Sequence, residues 1–318
     1  MSWKSVTLGL LTAVTVVSCN EPFAPKGPFE DKLVVYAILT NAADTQYVRV
    51  FKTYDPPRYD PYEVVLDQPV RGADVSVTEG SSVIRYQEGL TKRAETSRYK
   101  DDIVAYLAFP FRAQAGNSYD LSVVSQQFGT VRSSVSVPGS GWVELVNSYI
   151  FFGQGSDKEP FVARGYIRGA TRGFLIRFYL DYEYAEGGTW VQRREEMATR
   201  VSVFGDNLKV YEYPRLARRT SPAGSPGSLA YERAVFSREA YQEKLNDLGA
   251  QHPSLRLVGA LLILTQVEPN LYTYYNLANG FQDEYSIRQD LPDWSNIMGG
   301  YGVFGAMVED SAYISLRR

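Results

Sequence analysis

Hydrophobic and polar residues alternate along much of the chain with the period of two that marks half-buried β-strands. Leu33–Leu39 (LVVYAIL) is a nearly continuous β-prone run ended by Thr40-Asn41, and Gln46–Phe51 (QYVRVF) supplies a second strand. In Ala73–Thr78 (ADVSVT), Val75 and Val77 share one face, and 83–86, 103–109, 119–124 and 131–137 supply the remaining strands. Seven or eight short strands in roughly 105 residues, divided by turn residues, predict an antiparallel β-sandwich of immunoglobulin or fibronectin-III type over 32–138. The cysteine pair of antibody domains is missing, so that likeness is one of architecture. Pro138-Gly139-Ser140-Gly141 interrupts the pattern and marks the junction with a second β-rich domain over 139–318.

In that second half Phe174–Tyr184 (FLIRFYLDYEY) puts Phe174, Ile176, Phe178, Leu180 and Tyr182 on one face. Leu175, Arg177, Tyr179, Asp181 and Glu183 fall on the other, which predicts one buried and one largely polar side. Gly187-Gly188 then turns the chain into a hairpin partner over Thr189–Phe204, and Leu255–Val267 reads as a central strand. The period changes twice. Near 237–249 Ser237 stands as the N-cap of a short helix whose Tyr241, Leu245 and Leu248 share a face, with Gly249 as its stop. Near 269–279 a second short helix places Leu271, Tyr274 and Tyr275 on one side and Tyr272 elsewhere. The arginine- and proline-rich stretch Pro214–Ser228 has little to pack and is expected as an exposed loop.

The start of the chain follows neither period. Met1–Lys4 carries one basic side chain, Ser5–Ser18 carries no charge, and Cys19-Asn20-Glu21-Pro22 ends the run before it is long enough to span a bilayer. Val16-Val17-Ser18-Cys19 resembles a bacterial lipobox, so 1–18 reads as a lipoprotein signal peptide and Cys19 as the residue that takes the diacylglycerol. Residues 19–31, with three prolines, then form a lipidated tether. A single cysteine leaves no internal disulfide, and a net charge of −3 without basic clusters points away from nucleic acid.

Candidate chemistry is sparse. His252 is the only histidine, no G-x-S-x-G is present, and the ligands of a zinc site are lacking. No cofactor or metal is expected, and the chain reads as a non-enzyme. Gly300-Tyr301-Gly302-Val303-Phe304-Gly305 spells G-x-G-x-x-G, but the thirteen residues after it leave no room for a βαβ unit. Tight turns or close backbone approach explain those glycines better. Asp55, Asp60 and Glu63 lack calcium-loop spacing. Asp181 and Glu183, projecting from one strand face, are candidates for ligand contact or for a glycosidase pair. Tyr272 and Trp294 are candidates for a stacking surface, in a chain whose 24 tyrosines outnumber its other aromatics.

Four segments carry a family resemblance: Leu33–Asn41 (LVVYAILTN), Pro69–Val75 (PVRGADV), Gly116–Leu121 (GNSYDL) and above all Ser295–Ala306 (SNIMGGYGVFGA). Together with the lipobox this order resembles the outer-membrane lipoproteins of Bacteroidota grouped as domain-of-unknown-function family 4249. The resemblance implies an exported, lipid-anchored β protein of the outer membrane, of a kind often encoded beside TonB-dependent receptors. It implies an accessory role in nutrient capture, with such a receptor as partner and a glycan or peptide as ligand. The family has no assigned reaction and no catalytic residues to transfer. A structural or adhesion lipoprotein without a small ligand, and a carboxylate-dependent glycan hydrolase, are the alternatives.

Overall fold

The computed structural model describes residues 29–55, 67–93, 100–156, 158–205, 208–221, 230–278 and 294–316. The signal segment, Cys19 and most of the tether lie outside them, as do Asp60 and Glu63. Seven strands make the first half: β1 (Leu33–Thr40), β2 (Gln46–Lys52), β3 (Asp74–Glu79), β4 (Ser82–Thr91), β5 (Ile103–Ala108), β6 (Ser118–Ser125) and β7 (Gly129–Ser136). β1, β2 and β5 pair in one layer and β3, β6 and β7 in the other. β4 serves both: residues 82–86 pair with β3, and 87–91 pair with β5. The alternation read from the sequence sets the core, in which Leu33, Val35, Ala37 and Leu39 of β1 join Val75, Val77, Leu121, Val123 and Val131. Two buried tyrosines fasten the loops. The Tyr119 hydroxyl accepts from the Gln114 N–H at 2.9 Å, and the Tyr106 hydroxyl accepts from the Ala73 N–H at 2.9 Å while donating to the Val70 carbonyl at 2.8 Å.

The second half contributes β8 (Gly139–Leu145), β9 (Phe161–Arg168), β10 (Gly173–Glu186), β11 (Thr189–Glu196), β12 (Arg200–Phe204), β13 (Leu208–Glu212), β14 (Ala217–Arg218), β15 (Tyr231–Phe236), β16 (Arg256–Val267) and β17 (Tyr301–Ser315). Phe174, Ile176, Phe178 and Leu180 of β10 pack against Phe161 and Ala163 of β9 and Phe236 of β15, as the alternation of 174–184 requires. Helix α1 (Arg238–Gln251) adds Tyr241, whose ring meets that of Phe161 at 5.0 Å between centroids. Ser237 caps it, its side chain accepting from the Ala240 N–H at 3.1 Å. Gly249 is not its stop. The helix runs on to Gln251 and ends at His252, whose backbone the following Pro253 holds out of the helical region. Helix α2 (Pro269–Ala278) is capped by the Glu268 carboxylate, which accepts from the N–H groups of Asn270 at 2.7 Å and Leu271 at 2.6 Å. The expected long partner over 189–204 divides: β11 stays on β10, and β12 leaves it to pair with β13. Part of the expected free loop is also bound, since Ala217 and Arg218 pair with β10 and Leu216 packs in an apolar cluster.

β17 ties the halves together. Residues 301–307 run parallel to β1 and residues 307–315 antiparallel to β16, with Met307 opposite both Thr40 and Val267. One sheet of twelve strands therefore crosses the whole molecule. Ile297, Phe304, Ala306 and Val308, which a boundary at 138 assigns to the second unit, are buried in the first core. Pairing between segments so far apart in sequence leaves no local mark by which to place them. The glycine run serves this seam. Gly302 sits at φ +110°, and a Cβ there would collide with the Val35 carbonyl oxygen. The Asn296 amide brackets Phe304, accepting from its N–H at 2.9 Å and donating to its carbonyl at 2.7 Å.

Candidate ligand site

The face of β1 and β2 turned away from the core carries Val34, Tyr36, Ile38, Arg49 and Phe51, all half-buried. Strand register sets Tyr36 beside Arg49 and Val34 beside Phe51. α2 covers one end of this face, where Leu271 and Tyr274 pack with Tyr36, Ile38, Val303 and Met307. Towards Arg49 and Phe51 the face opens into a cavity of about 700 Å³, bounded by Thr53 and Tyr54 after β2, by Asp67 and Gln68, and by Arg93 after β4.

Asp67 joins two of its cations. One oxygen of Asp67 accepts from Arg93 Nη2 at 2.8 Å and from Arg49 Nη2 at 3.1 Å, and its other oxygen accepts from the Gln68 N–H at 3.1 Å. Lys52, the third cation on the lining, lies 3.7 Å from Asp31. The Arg49 guanidinium stands 4.3 Å over the Phe51 ring, and its Nε is buried without a hydrogen-bond partner. Burial, seconded by the neighbouring charge of Arg93, holds Arg49 below the usual arginine range against the opposing pull of Asp67. Aromatic walls continue from there: Tyr36 meets Phe51 edge-on at 6.0 Å and Tyr274 at 5.8 Å. Burial, with a hydrogen bond to Tyr36, pushes the Tyr274 phenol up.

A second depression, of about 540 Å³, lies over β10, β11 and β17 and is lined by Asp181, Arg194, Gln192 and Tyr313 among others. Here Arg194 engages the two oxygens of Asp181 through Nε and Nη2 at 2.6 and 2.9 Å, and Arg193 stands beside the pair on the lining. Both oxygens of Asp181 are thus engaged by one guanidinium, the geometry of a bidentate ion pair. Glu183 stands two residues along the same face, opposite Gln192 and Arg256, and does not line the depression. Tyr272, Tyr274 and Trp294 each pack against the apolar cluster of Val267, Leu271 and Val303. Tyr272 packs on Gly173, where any side chain would displace its ring. His252 stacks on Tyr184 at 3.7 Å, and among the described residues no group of three or more His, Cys, Asp or Glu is placed to hold a metal ion. Arg49, Asp67 and Arg93 escaped the sequence reading; only the alternation of QYVRVF marks Arg49 as facing outward.

A family model described as "Domain of unknown function (DUF4249)" matches residues 20–312. Comparison with curated proteins gave no match. Among solved structures, the chain is similar to the C-terminal globular domain of an oligosaccharyltransferase from Pyrococcus abyssi, at 10% identity and a TM-score of 0.22. The alignment covers 74% of this chain and 48% of that one, so the chain spans about half the length of the structure it matches. A likeness at that TM-score carries no argument.

Proposed function

Since the chain belongs to the DUF4249 family, we propose that it is a lipid-anchored accessory protein of the outer membrane, which captures a small nutrient for a TonB-dependent receptor. The cavity over β1 and β2 carries this reading. It is concave, with Val34, Tyr36, Phe51 and Tyr54 on its wall, and Arg49 and Arg93 converge there on Asp67, so it offers both apolar surface and charged groups to a ligand. Its wall begins at Val34, fifteen residues after Cys19, so an extended tether would hold it within about 50 Å of the lipid. The first half is read as an immunoglobulin-type module, in which the Tyr119–Gln114 hydrogen bond corresponds to a tyrosine corner.

A structural or adhesion role is the second reading, and the β12–β13 hairpin favours it. Phe204 and Leu208 face each other there at 58% and 62% exposure, a surface that a partner protein could cover. A glycan hydrolase centred on Asp181 is disfavoured by its pairing with Arg194. Two measurements test the proposal. Cys19→Ser is expected to move the protein from the membrane to the soluble fraction. Affinity capture of the lipidated chain from detergent-solubilised outer membranes is expected to bring down a TonB-dependent receptor, identified by mass spectrometry. Membrane retention of the serine variant, or recovery of the chain alone, would overturn it.

A further inference from the structure

We propose that the depression over β10, β11 and β17 is a second binding site, which takes one ring of a neutral saccharide. The sugar ring stacks on Tyr313 while its hydroxyls reach Arg194, Gln192 and Ser315. This site is separate from the cavity over β1 and β2, and binding there by the purified chain needs neither anchor nor receptor.

An aromatic platform is the first ground. Tyr313 stands opposite Leu261 on β16, but its ring leans along that strand to Gly259. A Cβ at Gly259 would collide with the Tyr313 hydroxyl and Cζ, so the ring lies over the space that a side chain would fill. The residue still stays 52% exposed, which leaves one side of the ring open to a ligand. Beside it the register between β10 and β16 slips at Asp181 and Tyr182, and Val258 is the extra residue of that bulge. A bulge bends its strand and re-aims side chains, here on the lining of the depression itself. The polar rim is the second ground. Asp181 holds the Nε and Nη2 side of Arg194 in one plane, and Arg194 Nη1 has no hydrogen-bond partner among the described residues. The Gln192 amide and the Ser315 hydroxyl have none there either, so free donors and free acceptors stand together on one lining. A sugar hydroxyl accepts from a guanidinium or amide N–H and donates to an amide oxygen at once. An anion only accepts, and would leave the Gln192 oxygen unmatched. The C–H face of a sugar ring is apolar and suits an open aromatic surface. Volume is the third ground: about 540 Å³ lies within the range of small-molecule sites.

The test is saturation-transfer NMR on the full chain in lauryldimethylamine oxide, a detergent without a sugar head group. The probes are the methyl glycosides of glucose, galactose and mannose, cellobiose, and the anion glucuronate. At least one neutral sugar is expected to bind at millimolar concentration, more tightly than glucuronate, with saturation strongest on the C–H protons of one ring face. Tyr313→Ala should weaken that sugar at least tenfold, and Tyr313→Phe by less than about threefold, because the ring and not the hydroxyl makes the stack. Gln192→Ala, at an exposed position, should weaken it about fivefold, and it decides alone if Tyr313→Ala fails to fold. Tyr47→Ala, which removes an exposed aromatic ring on β2, should leave binding unchanged. No signal from any neutral sugar, tighter binding of glucuronate, undiminished binding by Tyr313→Ala or Gln192→Ala, or an equal loss in Tyr47→Ala would each overturn the assignment. None of these results would bear on membrane anchoring or receptor capture.

Discussion

Arg49 and Arg93 share one oxygen of Asp67 in the first half of the molecule, whereas in the second half Arg194 has both oxygens of Asp181 to itself. The second half repeats this matching in its interior. Glu232 accepts from the N–H groups of Ser221 and Thr220 at 2.6 and 2.7 Å and from the Thr220 hydroxyl at 3.0 Å, while Glu268 caps α2. Deep polar groups in the first half are neutral by contrast: Tyr106, Tyr119 and Gln46, the last donating to the carbonyls of Thr40, Ala43 and Phe111. An acid whose partners the fold supplies acts as a fastening. An acid shared between two guanidinium groups through one oxygen holds each of them by less than a bidentate pair would.

The contrast holds only if the two halves stand or fall together, and the seam tests that first. Gly302→Ala must place a side chain at positive φ and against the Val35 carbonyl, so a loss of about 3 kcal/mol or more is expected. Scanning calorimetry should still show one transition, at lower temperature, because β17 belongs to both cores. Two resolved transitions would make the halves separate bodies and dissolve the contrast.

Glu232→Gln comes next, at about 1–3 kcal/mol near neutral pH. Burial alone would raise the Glu232 pKa, but the hydrogen bonds from Ser221 and Thr220 outweigh it and hold the carboxyl below the usual range. A folded-state pKa below the unfolded one means stability present above the unfolded value, ~4.3, and lost as pH falls through the folded value. Melting temperatures taken across that window should fall less steeply for Glu232→Gln than for the wild type. Tyr119→Phe, which removes a hydroxyl bonded to the Gln114 N–H and to Glu79, should cost about 1 kcal/mol in the same melting experiment. The smallest effect is expected from Asp181→Asn, which removes a partly exposed pair and should change stability by less than about 1 kcal/mol, and less still at high salt.

Local pattern was legible in the sequence because local forces set it. The alternation of 174–184, the Ser237 cap and the glycine run read as close approach all correspond to what the strands and helices do. Other features depend on partners far along the chain. Nothing in Ser295–Ala306 tells that its strand will pair with β1 in parallel and carry Phe304 into the first core. The cavity is harder still, since Arg49, Asp67 and Arg93 arrive from three segments and no spacing relates them. The candidates the sequence did offer had been chosen by residue type. Asp181 lies in a depression but spends both oxygens on Arg194, and Tyr272 and Trp294 spend their rings on packing.

The position of β1 has a mechanical consequence. It lies between β17, parallel on one side, and β2, antiparallel on the other. A pull arriving through the residues that precede Leu33 acts along the strand axis, so the hydrogen bonds on both flanks resist at once, in shear, and cannot be peeled one after another. Beside them Leu33, Val35, Ala37 and Leu39 would have to leave the core in the same step. Leu33–Thr40 is thus held like the overlap of a lap joint against any load applied at its N-terminal end.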